Sequence, residues 1–231
     1  MTLTIHPLAA CLVLWPCMAA WAQTDPLCTS DGRPAPRTLQ ERFINADCAA
    51  CWRQAGPTPH RGTAVLDWVI PGSQGDDAPL ATVARRESLE RLEFLHQPVP
   101  DDHKELSSKV QGGRHHVRVS RGPVYDGYVG ASLTFDSRAP LRQPLTGWLA
   151  LIEVLPAGTE GSPVPRVLMR NLLSDTIPPR NTEIMGQLWR PMNVPEGADP
   201  NRLQLLGWVS DAQGHVLAAA ESSCDKAASP E

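Results

Sequence analysis

The sequence predicts an α+β protein in which a shortened α/β module at residues 38–113 precedes an antiparallel β-sandwich at 114–224. Three observations carry this. "TLQERFIN", a CxxC pair at Cys48 and Cys51, "TAVLDWVIP" and a helical stretch give the order strand, dithiol, short helix, strand, helix. Beyond residue 114, apolar positions recur with period two between Gly and Pro turns, as with Val129, Ala131, Leu133 and Phe135 in "DGYVGASLTFD". Between the two textures, "VPDDHKELSSKVQGGRH" reads as a polar hinge.

Residues 1–22 contain no Asp, Glu, Lys or Arg and run through "PLAACLVLWPCMAAWA", with the small residues Ala20 and Ala22 at −3 and −1 of a cleavage site. This reads as a secretory signal peptide, so the expected location is periplasmic or secreted, with no membrane attachment after signal removal. Pro7 and Pro16 make the run a poor retained anchor. "LAAC" resembles a lipobox, so lipidation at Cys11 stands as the alternative to cleavage after Ala22. Residues 23–37, polar and proline-rich, form an extended lead-in, and 225–231 a disordered tail.

The elements follow in order. Leu39, Phe43 and Ile44 mark a first strand running into the cysteine pair, and Val65, Leu66, Trp68, Val69 and Ile70 a second, stopped by Pro71 and Gly72. In "GDDAPLATVARRESLERLEFLHQP", Asp76 or Asp77 caps a helix and Pro98 closes it, with Leu80, Val83, Ala84, Phe94 and Leu95 on one side. "GWLALIEVLP", "PRVLMRNLL" and "LQLLGWVSDAQGHVLAAAES" supply further strands, the last of these as a pair around "DAQG".

A formal charge of −4, with 21 Lys plus Arg against 25 Asp plus Glu and no basic cluster, leaves no electrostatic footprint for nucleic acid or an anionic membrane. Of six cysteines, Cys11 and Cys17 leave with the signal. Four remain for an oxidising compartment, which allows three connectivities. CxxC pairing of Cys48 with Cys51 leaves Cys28 for Cys224, a clip from the start of the mature chain to its end. The competing arrangement joins Cys28 to Cys48 or Cys51 and leaves a reactive thiol.

The strand–CxxC–helix order is the opening of a thioredoxin-like domain, which makes the shortened module thioredoxin-like. "ERFINADCAACW" resembles the strand-to-helix entry of a bacterial family of secreted thioredoxin-like proteins of unknown function, and "GPVYDGYVGASLTF" and "GHVLAAAESSC" resemble its β-rich C-terminal part. The resemblance implies Cys48 as the attacking sulfur at a helix N-terminus and Cys51 as the resolver. It also implies exported proteins or a periplasmic redox partner as reaction partners. The sequence departs from the family in having Trp52 rather than Pro after the second cysteine, and "GPTPHRG" cuts the helix short. Asp47 beside Cys48 opposes thiolate formation. Two functions therefore stand side by side: thiol–disulfide exchange through Cys48 and Cys51, or a non-enzymatic binding protein in which both disulfides are structural.

No cofactor is expected. A zinc site lacks a second ligand pair, and the adjacent His115 and His116 would point to opposite faces of a strand, with His103 in the hinge. No G-x-S-x-G singles out a serine nucleophile. Trp148, Trp189 and Trp208 are expected in the core, with an aromatic ligand platform as the alternative.

Overall fold

The computed structural model describes residues 27–56, 59–179 and 184–224. The signal segment with Cys11 and Cys17, the first residues of the lead-in and the tail at 225–231 lie outside the described residues. Twelve strands and two α-helices are described, and the expected α/β module with a separate sandwich is overturned. Strands from both halves of the chain share one sheet.

The parallel pair β2 (Thr38–Asn45) and β3 (Thr63–Ile70) runs in register from Thr38↔Thr63 to Asn45↔Ile70, connected through α1 (Ala49–Arg53). Both strands bury nearly every residue beyond their first turn, as strands covered on both faces must. On the outer side of β2 lies β4 (His103–Lys109), antiparallel from Thr38↔Lys109 to Ile44↔His103. The segment read as a polar hinge is therefore an edge strand. Only Leu106 of β4 packs against the core, so the sequence carries no apolar alternation to reveal it.

On its other side β3 meets β8 (Arg166–Ile177) at Asp67↔Leu168. The buried Asp67 carboxylate stitches this seam by accepting from the Val167 N–H at 2.9 Å and pairing with Arg42 at 2.6 Å. The sheet continues through β7 (Leu145–Leu155) and β10 (Leu203–Ser210) to β11 (Val216–Glu221), in the order β11-β10-β7-β8-β3-β2-β4. A second sheet takes β1 (Cys28–Thr29), β5 (His115–Tyr125), β6 (Tyr128–Ser137), β9 (Ile184–Asn193) and β12 (Ser223–Cys224) in the order β12-β1-β5-β6-β9.

Period-two alternation along β7 and β10 divides the core. Leu149, Leu151, Leu203, Leu205 and Val209 face Val119, Val129, Leu133 and Phe135 of the five-stranded sheet. Gly207 lies where the two sheets approach: a Cβ there would land on Val119 and Leu133. Trp148, Ala150, Ile152, Leu206 and Trp208 point the other way, joining Phe43, Leu66 and Trp68 under Leu92 of α2 (Glu87–Phe94).

The expected long helix shrinks to α2, preceded by 3-10 turns at Gly75–Asp77 and Ala81–Val83. Its apolar residues serve two surfaces. Ala78, Leu80 and Val83 pack with Ile44, Val69 and Leu168 on one side of the sheet, whereas Leu92 and Phe94 pack on the other. The chain has to cross the sheet between them, and Ala84 at ψ 139° breaks the helical path.

Candidate functional site

The two disulfides join Cys48 to Cys51 and Cys28 to Cys224. The second unites β1 and β12, whose register sets Cys28 opposite Cys224 at the edge of the five-stranded sheet. The first sits where β2 ends. Asn45 turns the chain by accepting from the Asp47 N–H at 3.0 Å and donating to the Pro100 carbonyl at 3.1 Å. Cys48 then caps α1, its sulfur accepting from the Cys51 N–H at 3.2 Å.

The two cysteines are not equivalent. Cys48 is half-buried, while Cys51 is 8% exposed within the cluster formed by Ile44, Trp52 and Leu168. With only five residues, α1 adds little dipole of its own, but it is firmly held. The buried Arg166 guanidinium donates to the carbonyls of Cys51 at 3.3 Å, Trp52 and Gln54 at 2.6 Å, and lies 4.8 Å from the Trp52 ring. These carbonyls lie at the C-terminal end of α1, where a cation is the favoured partner; that of Cys51 also accepts from the Gln54 N–H at 3.3 Å. The Trp52 indole N–H donates to the Glu160 carbonyl at 2.9 Å. Arg166 carries no signal in the sequence, whereas Trp52 stands out there only as a departure from the family's Pro, an apolar aromatic directly after the second cysteine.

Charge near the sulfurs comes from a residue that the sequence left in the hinge. The exposed Asp102 carboxylate and both sulfurs lie within 4.8 Å of one another. Asp47, by contrast, is committed elsewhere: it accepts from the Ser73 N–H and hydroxyl, both at 2.8 Å, and from the Gln74 N–H at 3.3 Å. Desolvation works to raise the Asp47 pKa, but these hydrogen bonds prevail and hold it below the usual carboxylate value. The Cys48, Cys51, Asp102 group offers three ligand positions, but its sulfurs are bonded to each other and metal ligation requires thiolates.

The other residues considered from sequence do not converge here. His115 stacks on Phe135 at 5.8 Å, with burial pushing its pKa down, His116 is exposed on the same strand, and His103 opens β4 in the other sheet. Trp148 and Trp208 stack in the core at 5.9 Å. Trp189 corrects the core expectation, being 65% exposed. Two buried charge clusters carry no signal in the sequence: Glu41 with Arg91, and Glu153 with Arg170 and Arg202.

Fold and site thus define a β-rich, two-sheet protein that carries a CxxC disulfide at the end of a parallel strand. No protein-family model and no curated protein matches the sequence. Among solved structures the chain is similar to HBP35 of Porphyromonas gingivalis, at 13% identity and a TM-score of 0.50, over 85% of this chain and 79% of that one. At that identity the likeness is one of fold. Among the described residues no helix is long and apolar enough to cross a membrane.

Proposed function

We propose that this protein is exported and exchanges disulfides with the thiols of other exported proteins through Cys48 and Cys51. The observation that carries the reading is the clamp on α1. Arg166 and Trp52 fix the helix to the sheet without help from the sulfur–sulfur bond, so the bond can open while its support stays in place. Cys48, the more exposed residue of the pair, is the one attacked. A partner thiolate forms a bond to the Cys48 sulfur, the Cys48–Cys51 bond breaks, and its electron pair leaves on Cys51, which takes a proton from water. A second partner thiolate then attacks the partner's sulfur of the mixed disulfide and releases Cys48. The partner dithiol is thereby oxidised and the pair reduced, and exchange with a disulfide-bearing periplasmic partner restores it. The Asp102 carboxylate disfavours a lasting thiolate on either sulfur, which favours the closed disulfide at rest.

The burial of Cys51 favours the second reading, a binding protein in which the pair is a permanent brace. Equilibration of the mature protein in glutathione redox buffers, read by alkylation and mass, separates the two. Exchange predicts a potential above about −300 mV together with insulin reduction, whereas a potential well below about −300 mV without that activity rejects exchange.

A further inference from the structure

The outer edge of β4 starts beside the disulfide, and among the described residues no further strand pairs with it. β4 is the terminal strand of the seven-stranded sheet, paired with β2 over seven consecutive residues without a bulge and containing no proline. Among the described residues, the backbone groups of 103–109 bond only to β2, and outward bonding resumes at Gln111, whose N–H donates to the Val216 carbonyl. Sheet edges are ordinarily blunted by bulges, proline, charged side chains or a covering element, because their free N–H and C=O groups recruit other strands; β4 has charged side chains at Lys104, Glu105 and Lys109 but neither bulge nor proline. Of the two lysines on β4, Lys104 is turned away to donate to Gln97 at 2.7 Å.

The position of this edge relates it to the sulfurs. Asp102, which lies within 4.8 Å of both, immediately precedes β4. His103 and Glu105 point to the α1 side of the sheet, where with Arg42, Gln54 and Cys51 they line a cleft that reaches the edge. Leu106 points to the opposite side, toward the core under α2. A strand added beyond β4 would run about 4.8 Å from it and set alternate side chains on the face of the sheet that carries α1 and that cleft.

We propose that β4 is the docking edge for the exchange partner: an extended segment of an exported protein adds to β4 through its main chain and presents a cysteine beside Cys48. This rests on the exchange reading above and gives it a substrate class, namely unfolded or extended cysteine-bearing chains. Main-chain pairing makes recognition broad, with only the side chains on the α1 face of the sheet selected. The chemical step is that already given, the incoming thiolate bonding to Cys48 as Cys51 leaves.

The test uses the oxidised mature protein and a capped peptide of roughly nine residues, alternating valine and threonine around one central cysteine, in three forms: unmodified, and N-methylated on either alternate set of residues. Only one set can face β4. The unmodified peptide and one methylated form are expected to open the Cys48–Cys51 disulfide about tenfold faster than glutathione, and the other methylated form at the glutathione rate. The same peptide with serine for cysteine is expected to slow hydrogen exchange of outward amides within 103–109. Equal rates for all three peptides together with no amide protection overturn strand addition, even if glutathione reacts and exchange itself stands. Amide protection with a disulfide inert to every thiol overturns exchange, and with it the peptide's role as substrate, leaving docking alone. A dimer in sedimentation in which β4 amides are already protected would show that a second copy of this chain occupies the edge, and would overturn the proposal.

Discussion

Removing each disulfide separately measures how far the fold depends on it. In the chain-entropy treatment, a bridge stabilises by shortening the unfolded chain's freedom, and the effect grows with the logarithm of the loop. Cys48 and Cys51 are separated by 3 positions, Cys28 and Cys224 by 196. The formula gives about 2 kcal/mol for the first and about 5 kcal/mol for the second. The Cys48→Ala/Cys51→Ala variant is therefore expected to lose about 2 kcal/mol and to keep its native tryptophan fluorescence. Cys28→Ala/Cys224→Ala should lose about 5 kcal/mol, because it frees a loop of 196 positions in the unfolded chain. Urea unfolding followed by fluorescence gives both values, with the m-value checking that the unfolded states remain comparable. If the CxxC variant lost as much as the clip variant, the clamp by Arg166 and Trp52 would not be holding α1, and the bridge would have to be structural.

Three further outcomes follow from the buried charges. Arg166→Met removes the donor to the α1 carbonyls and one cation near Asp67; it should cost about 3–5 kcal/mol, and more than additively when combined with loss of the CxxC pair, measured by the same unfolding curves. Glu41→Leu leaves the Arg91 guanidinium unpaired between Trp148 and Trp208 and should cost about 3–5 kcal/mol, while Glu41→Leu/Arg91→Met returns to within about 1 kcal/mol of the parent; a double variant no better than the single would refute the pairing argument. Burial raises the Glu221 pKa, with Arg33 opposing, so the folded state holds this proton more tightly than the unfolded state does. Its contribution is complete below the ordinary carboxylate value and is lost as pH rises through the folded value, and Glu221→Gln should flatten that decline in urea midpoints taken across the acid range.

The strands were largely legible because half-buried and fully buried strands write themselves as alternation or apolar runs. β2, β3 and β6 fall where "TLQERFIN", "TAVLDWVIP" and "DGYVGASLTFD" place them, β6 running from Tyr128 to Ser137. Their pairing was not legible. The contact that merges both halves of the chain into one sheet is the single parallel step Asp67↔Leu168, made by a carboxylate that sequence inspection reads as one polar residue inside an apolar run. The charged residues that hold the site failed for the same reason. Arg166 and Glu41 look like surface residues until the topology surrounds them with partners from 50 or more positions away. β4 stayed hidden because an edge strand needs only one apolar contact, and its position next to the disulfide depends on the fold.

A disulfide that is to open and close must not be the part on which folding depends. In this chain the two requirements are met by different residues: the terminal bridge closes a loop of 196 positions, while α1 is kept in place by a guanidinium and an indole. Thiol chemistry at Cys48 can then be governed by what surrounds it, namely the Asp102 carboxylate and the neighbouring edge of β4, and no complete thioredoxin-like domain is needed to supply it. On this view a CxxC pair needs three things to be a candidate for exchange: one cysteine that is not buried, a support that survives reduction, and a surface that holds a partner beside it. The first two are present in the geometry of α1, and the peptide experiment at β4 decides the third.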